Sequence, residues 1–239
     1  MAHRAGGCCA LALLSVIAFT ARATQADLFD KPVSEQKVPP KTDTESEITC
    51  TYYPDLMVRE TGTDTPAPDD AVLLRDAQHP CDPNGIGVTL KTSAYGLAGR
   101  KGQFLLFEAT DPNGASAFIV IDAGSGKTLY HDDMASDNGI HSVAIENVGL
   151  HIRFKRAINA TCSFVKEGAA CWSRLIREGK IPRAMPAVPA AQTCAGDLRR
   201  ANSSPDDPAI VTYDVDMTVD ATGKAHVVSR GAVGCEPLP

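Results

Sequence analysis

The sequence predicts an α+β chain, mainly antiparallel β in a sandwich or barrel-like sheet, stabilised by disulfides and carrying two short helices inserted near residues 163–201. Three observations predict it. Two stretches alternate apolar and polar residues with the period of a strand, in which successive side chains point to opposite faces. One stretch between them switches to helical spacing. Behind an export signal, an even number of cysteines remains, the signature of a disulfide framework.

Residues 1–26 read as a secretory signal peptide, with His3 and Arg4 at the basic start and an apolar run from Cys8 to Phe19. Small residues place the expected cleavage after Ala23 or Ala26. The apolar run is short of the ~20 residues a membrane-spanning helix needs. Removing the signal takes away Arg4, Arg22, Cys8 and Cys9. That leaves 21 of 23 basic residues against 29 acidic ones, a net charge of −8, and six of eight cysteines. Those six are Cys50, Cys81, Cys162, Cys171, Cys194 and Cys235, with no CxxC spacing among them. Residues 27–47 are polar, contain Pro and are poor in apolar side chains, so a flexible leader is expected there. Residues 48–239 are expected to form a single β-rich, disulfide-bonded domain.

From Ile48 the strand signals follow one another. "ITCTYYPDLMVRE" is rich in β-branched and aromatic residues, with Pro54 marking an edge or bulge. "AVLLR" and "IGVTLKTS" come next. "FLLFEAT" and "SAFIVID" flank "DPNG" and predict a hairpin; their unbroken apolar runs imply that both faces are covered. In "VGLHIRFKR", Val148, Leu150, Ile152 and Phe154 share one face, with His151, Arg153 and Lys155 on the other. In "VTYDVDMTVD", Val211, Tyr213, Val215, Met217 and Val219 oppose a face that holds Asp214, Asp216 and Asp220. If these strands are neighbours, their basic and acidic stripes pair across the sheet. Between them, Phe164, Gly168, Cys171, Trp172, Leu175 and Ile176 form a helical stripe that stops at Gly179 and Pro182. A second short helix is expected from about Pro189 to Arg200, before a last hairpin turning at "ATGK". Cys50 and Cys81 lie just beyond the open end of the first strand pair and are expected to bond. Cys162–Cys171 and Cys194–Cys235 are the favoured partition of the rest.

The composition argues against whole classes of function. A net negative chain lacks the basic footprint of a nucleic-acid binder. "IDAGSGKTLY" resembles a phosphate loop, but Ile121 stands where that motif needs its first glycine, and no helical pattern follows. It reads as a strand, a tight turn and a strand. Neither nucleotide, cofactor nor membrane span is expected.

Two groups carry candidate chemistry. His131, Asp132, Asp133, Asp137 and His141, with Asn138, gather in what reads as a polar loop and offer oxygen and imidazole ligands to a divalent cation. His151, Arg153 and Lys155 form a basic stripe suited to an anionic glycan or a partner's acidic surface. There is no nucleophile elbow, and the cysteines are committed to disulfides. The expected function is that of an exported, non-enzymatic binding or envelope-associated protein, periplasmic or secreted, acting on another envelope or secreted protein or a glycan. An inhibitor of a secreted enzyme falls within that class. The alternative is a secreted hydrolase using carboxylates, or a metal at the 131–141 loop.

Overall fold

The computed structural model describes residues 28–42, 45–62, 70–110, 115–135, 139–147, 149–182 and 191–237. These form two antiparallel sheets and three short helices. The first sheet runs in the order β1 (Ser34–Val38), β2 (Ile48–Tyr52), β3 (Met57–Thr61), β4 (Val72–Leu74), β5 (Val88–Thr89). The second contains β6 (Gly96–Lys101), β7 (Phe104–Ala109), β8 (Ser116–Asp122), β9 (Thr128–Met134), β10 (Ile140–Glu146), β11 (Gly149–Asn159), β12 (Ala209–Val219) and β13 (Ala225–Pro237). Its spatial order is β13-β12-β11-β9-β8-β7-β6, with β10 paired to β11 beside β9. The α+β, antiparallel, disulfide-braced architecture is the one the residue pattern predicts.

β7 and β8 show why their runs are apolar throughout. Leu105, Phe107, Ile119 and Ile121 pack against Tyr53, Val58, Leu73 and Leu90 of the first sheet region. Phe104, Leu106, Phe118 and Val120 face the opposite way, into a second core with Leu150, Ile152, Phe154, Val215 and Met217. The Phe118 ring meets Phe154 edge-on at 4.9 Å. This hairpin is therefore the shared middle layer, buried on both sides, and the hydrophobic effect on both faces fixes its register.

The helices cover one end of the second core. Helix α1 (Phe164–Glu167) is capped by Ser163, whose hydroxyl accepts from Lys166 N–H. Gly168, at φ 51°, ends it and starts α2 (Ala169–Arg177). One expected helix is thus two, because a left-handed residue breaks the continuous ladder. The expected second helix is α3 (Ala191–Arg200); its proposed start at Pro189 lies outside the described residues. Trp172, Leu175 and Leu198 complete the core.

Three disulfides join Cys50–Cys81, Cys162–Cys171 and Cys194–Cys235, with Cα atoms 5.8, 5.7 and 5.0 Å apart. The first brackets β2 and the segment after β4; the others tie α2 to the end of β11 and α3 to β13.

Part of the leader takes regular structure. Ser34–Val38 is strand β1, paired residue by residue with Tyr52–Ile48. Its polar sequence suits an exposed edge strand, for which β2 supplies the ladder. Just before it, Asp30 bridges Arg100 on β6, and its carboxylate accepts from Gly102 N–H at 2.7 Å. Phe29 lies against Gly99 so closely that a Cβ there would sit 2.4 Å from the ring. Pro54 also differs from its expected place, since it lies in the bend between β2 and β3.

Candidate functional site: a polar cavity between β9 and β11

β11 places its residues by simple alternation. Leu150, Ile152, Phe154 and Ile158 face the core. Arg156 stands in phase with them, so its guanidinium enters the interior between the rings of Phe154 and Tyr213, at 5.8 and 5.9 Å. From β9, Tyr130 and Asp132 alternate onto the same side. Arg156 Nη2 donates to the Asp132 carboxylate and to Tyr130 Oη, the latter at 3.0 Å. Tyr130 Oη in turn donates to Asp132. Arg156 Nη1 reaches Tyr213 Oη at 3.4 Å, while Nε is buried with no acceptor among the described residues.

The electrostatics follow from that burial. Burial works against the Arg156 cation, but hydrogen bonds and charge from Asp132 outweigh it and hold the group above its ordinary value. Tyr130 is raised by burial first and then by the neighbouring Asp132 charge; Tyr213 is raised by burial. Both phenols stay protonated across the physiological range. Asp133 is raised as well, by burial and by the Asp132 charge, with His131 and Arg156 pulling the other way.

This cluster floors a cavity of about 440 Å³, within the usual range of ligand pockets. Its walls are His131, Asp133, Ala157, Ile158, Asn159 and the turn at Gly179–Lys180. Asn159 Oδ1 already accepts from Ala115 N–H at 3.2 Å, which leaves its amide N–H groups as donors.

The cation-binding loop expected over 131–141 is not a loop at its ends. His131, Asp132 and Asp133 belong to β9 and His141 to β10; Asp137 and Asn138 lie outside the described residues. Strand alternation turns Asp132 away from His131 and Asp133. Among the described residues no group of three or more His, Cys, Asp and Glu side chains is arranged to hold a metal ion. His141 instead faces Asp214 at 3.7 Å.

The basic stripe lies on the other face of β11, and its expected partner strand is indeed the neighbour. Arg153 stands opposite Asp216 and Lys155 opposite Asp214 in the β11–β12 register. Arg153 Nε donates to Asp216 at 2.9 Å, and Arg230 from β13 joins the same carboxylate. His151 lies 3.0 Å from Glu146 and 3.8 Å from Asp216. Lys155 reaches across to Glu236 at 3.4 Å rather than to Asp214. Asp220 instead closes the last hairpin turn by accepting from Thr222 and Lys224. The stripe is largely matched within the molecule.

The glycine-rich stretch is a strand–turn–strand. Gly126 N–H donates to Asp122 O at 2.7 Å, and Asp122 Oδ1 accepts from both the N–H and the hydroxyl of Ser125.

Sequence reasoning missed Arg156. The available signal was its phase: a charged residue in step with Leu150, Ile152 and Phe154, followed by Ile158, must face the core. Compared with known protein families, with curated proteins and with solved structures, the chain matches none of them.

Proposed function

We propose that this chain is an exported binding protein, periplasmic or secreted, and that the cavity between β9 and β11 is its ligand seat. The three disulfides support an oxidising compartment. Among the described residues no helix is long and apolar enough to cross a membrane. The observation that carries the reading is the Arg156–Asp132–Tyr130 cluster at the cavity floor. A buried guanidinium locked between two rings and a carboxylate is a preorganised polar surface, which lowers the ordering needed on binding.

The same locking argues against catalysis by Asp132, whose Oδ2 accepts from Arg156 and Tyr130 and whose Oδ1 accepts from Asp133 N–H. A hydrolase reading keeps one favourable observation, the raised carboxyl of Asp133, which suits a general acid. It lacks a free second carboxylate, because Asp132, which shares the cavity, is already held by Arg156 and Tyr130.

The test is amide-resolved NMR of the disulfide-intact protein against defined oligosaccharides and linear peptides. Shift changes concentrated at Tyr130–Asp133, Arg156–Asn159 and Lys180 are the expected outcome. Binding whose footprint lies elsewhere, or turnover of a probe abolished by Asp133→Asn, would overturn it.

A further inference from the structure

The cavity lies where the pairing of β9 with β11 stops. β9 and β11 are joined through a single pair, Arg156 opposite Met134. Ala135 N–H donates to Lys155 O at 2.9 Å beside it. Along β11, odd-numbered residues aim their backbone groups away from β12: Lys155 N–H donates to Gly139 O at 2.7 Å, whereas Ala160 N–H donates to Ala209 O at 3.0 Å. Three residues beyond the Arg156–Met134 pair, continued register would set Asn159 against His131. Among the described residues that pairing does not form. β11 continues opposite β12, and β9 opposite β8. Both Asn159 and His131 line the cavity. Two strand edges therefore border one opening, and their main-chain donors and acceptors need partners.

Resting on the cavity as the ligand seat, we infer that its occupant is an extended peptide segment that adds a short strand to the Asn159 edge of β11. It turns a neutral acceptor side chain, Ser, Thr, Asn or Gln, toward Arg156. Main-chain hydrogen bonds supply affinity in such strand addition, and alternate side chains supply specificity. A saccharide would meet the side chains but leave the strand edges to water. The neutral side chain follows from charge. Arg156 already holds the Asp132 carboxylate, and the Asp133 carboxyl is already disfavoured as an anion. A third carboxylate would be repelled, whereas a neutral hydroxyl or amide side chain meets no such penalty.

The test uses a phage-displayed library of short random linear peptides panned against the disulfide-intact protein. Enriched peptides should share Ser, Thr, Asn or Gln at one fixed position. N-methylation of their backbone at alternate residues should weaken binding roughly tenfold, the loss of one well-placed hydrogen bond. Asn159→Pro removes the N–H that faces the cavity and should do the same; if that variant does not fold, the N-methyl series decides alone. Hydrogen exchange at the Asn159 and His131 amides should slow on peptide addition. Three results overturn the inference: affinity indifferent to N-methylation, Asn159 and His131 amides already protected in the free protein, or no enrichment at all. A saccharide that shifts Tyr130, Asp132 and Arg156 where no peptide binds removes the strand addition and leaves the seat. Silence of those residues toward every probe removes both.

Discussion

On one face of β11, Arg156 lies among Phe154, Tyr130 and Tyr213 with a single carboxylate, Asp132, and both side chains of the pair are about seven-eighths buried (14% and 13% exposed). On the other face, Arg153 and His151 share Asp216 with Arg230, while Lys155 has Glu236. The residue types are the same, yet the energetics differ. Inside, each charge has a single charged partner in a largely buried setting, so losing the partner strands a buried ion. Outside, Asp216 is as sheltered as the inner pair, but it is shared by Arg153 and Arg230, which stand in solvent. Its removal leaves charges that water can stabilise, so each pair contributes little. Charge on this strand is thus a buried pair on one face and a neutralised surface on the other.

The largest expected effect comes from breaking the inner pair. Asp132→Ala should lower unfolding free energy by about 3–5 kcal/mol, measured by urea denaturation, because Arg156 is left buried without a counter-ion. Combining Asp132→Leu with Arg156→Met should recover most of that loss, since well-packed apolar replacements of a buried pair are often neutral. Equal damage from the single and double changes would mean that the cluster is not an interior ion pair at all.

The outer face should respond more weakly. Asp216→Ala removes a carboxylate that Arg153 and Arg230 share, and about 1 kcal/mol is expected at low salt. Raising ionic strength should shrink that difference, because partners that stand more than half exposed are screened. A salt-independent loss as large as that of Asp132→Ala would erase the distinction between the faces.

The smallest effect sharpens the comparison with a carboxyl that has burial but no cation. Glu60 accepts from Leu97 N–H at 2.7 Å. Burial raises its carboxyl despite that bond, and the Glu35 charge adds to the shift. A group that holds its proton more tightly when folded makes the fold gain stability as pH falls from its raised folded value toward the unfolded range near ~4.3. Below that range the gain is complete. Glu60→Gln should remove this slope, so the wild type gains on the variant between neutral pH and the unfolded value. Parallel pH–stability curves for the two proteins would refute it.

Much of this contrast was legible in the residues. Alternation in "VGLHIRFKR" and "VTYDVDMTVD" is enough to predict two adjacent half-buried strands and the cross-strand matching of Arg153 with Asp216, because period and charge agree. The double-sided burial of Phe104–Ala109 and Ser116–Asp122 follows equally from their unbroken apolar runs. What the pattern hid was polar chemistry in phase with an apolar face. Arg156 and Asp132 look like solvated residues in a one-dimensional reading, and only the meeting of β9 with β11 brings them together. His131, Asp132 and Asp133 illustrate the converse: residues adjacent in sequence resemble a ligand set, yet strand geometry separates them. Strand β1 within the leader was hidden for a related reason, since an edge strand needs few apolar residues when a neighbour supplies its ladder.

That N-terminal stretch has a practical consequence for anyone producing the protein. Phe29 and Asp30 are held by one sheet and Ser34–Val38 by the other, so the stretch works as a clasp across both layers. A recombinant version begun at Ile48, where a disorder-minded trim would start it, uncovers the outer edge of β2 and strips Asp30 from Gly102. Such material would offer a ready template for edge-to-edge self-association, whereas a chain begun upstream of Leu28 keeps that edge covered.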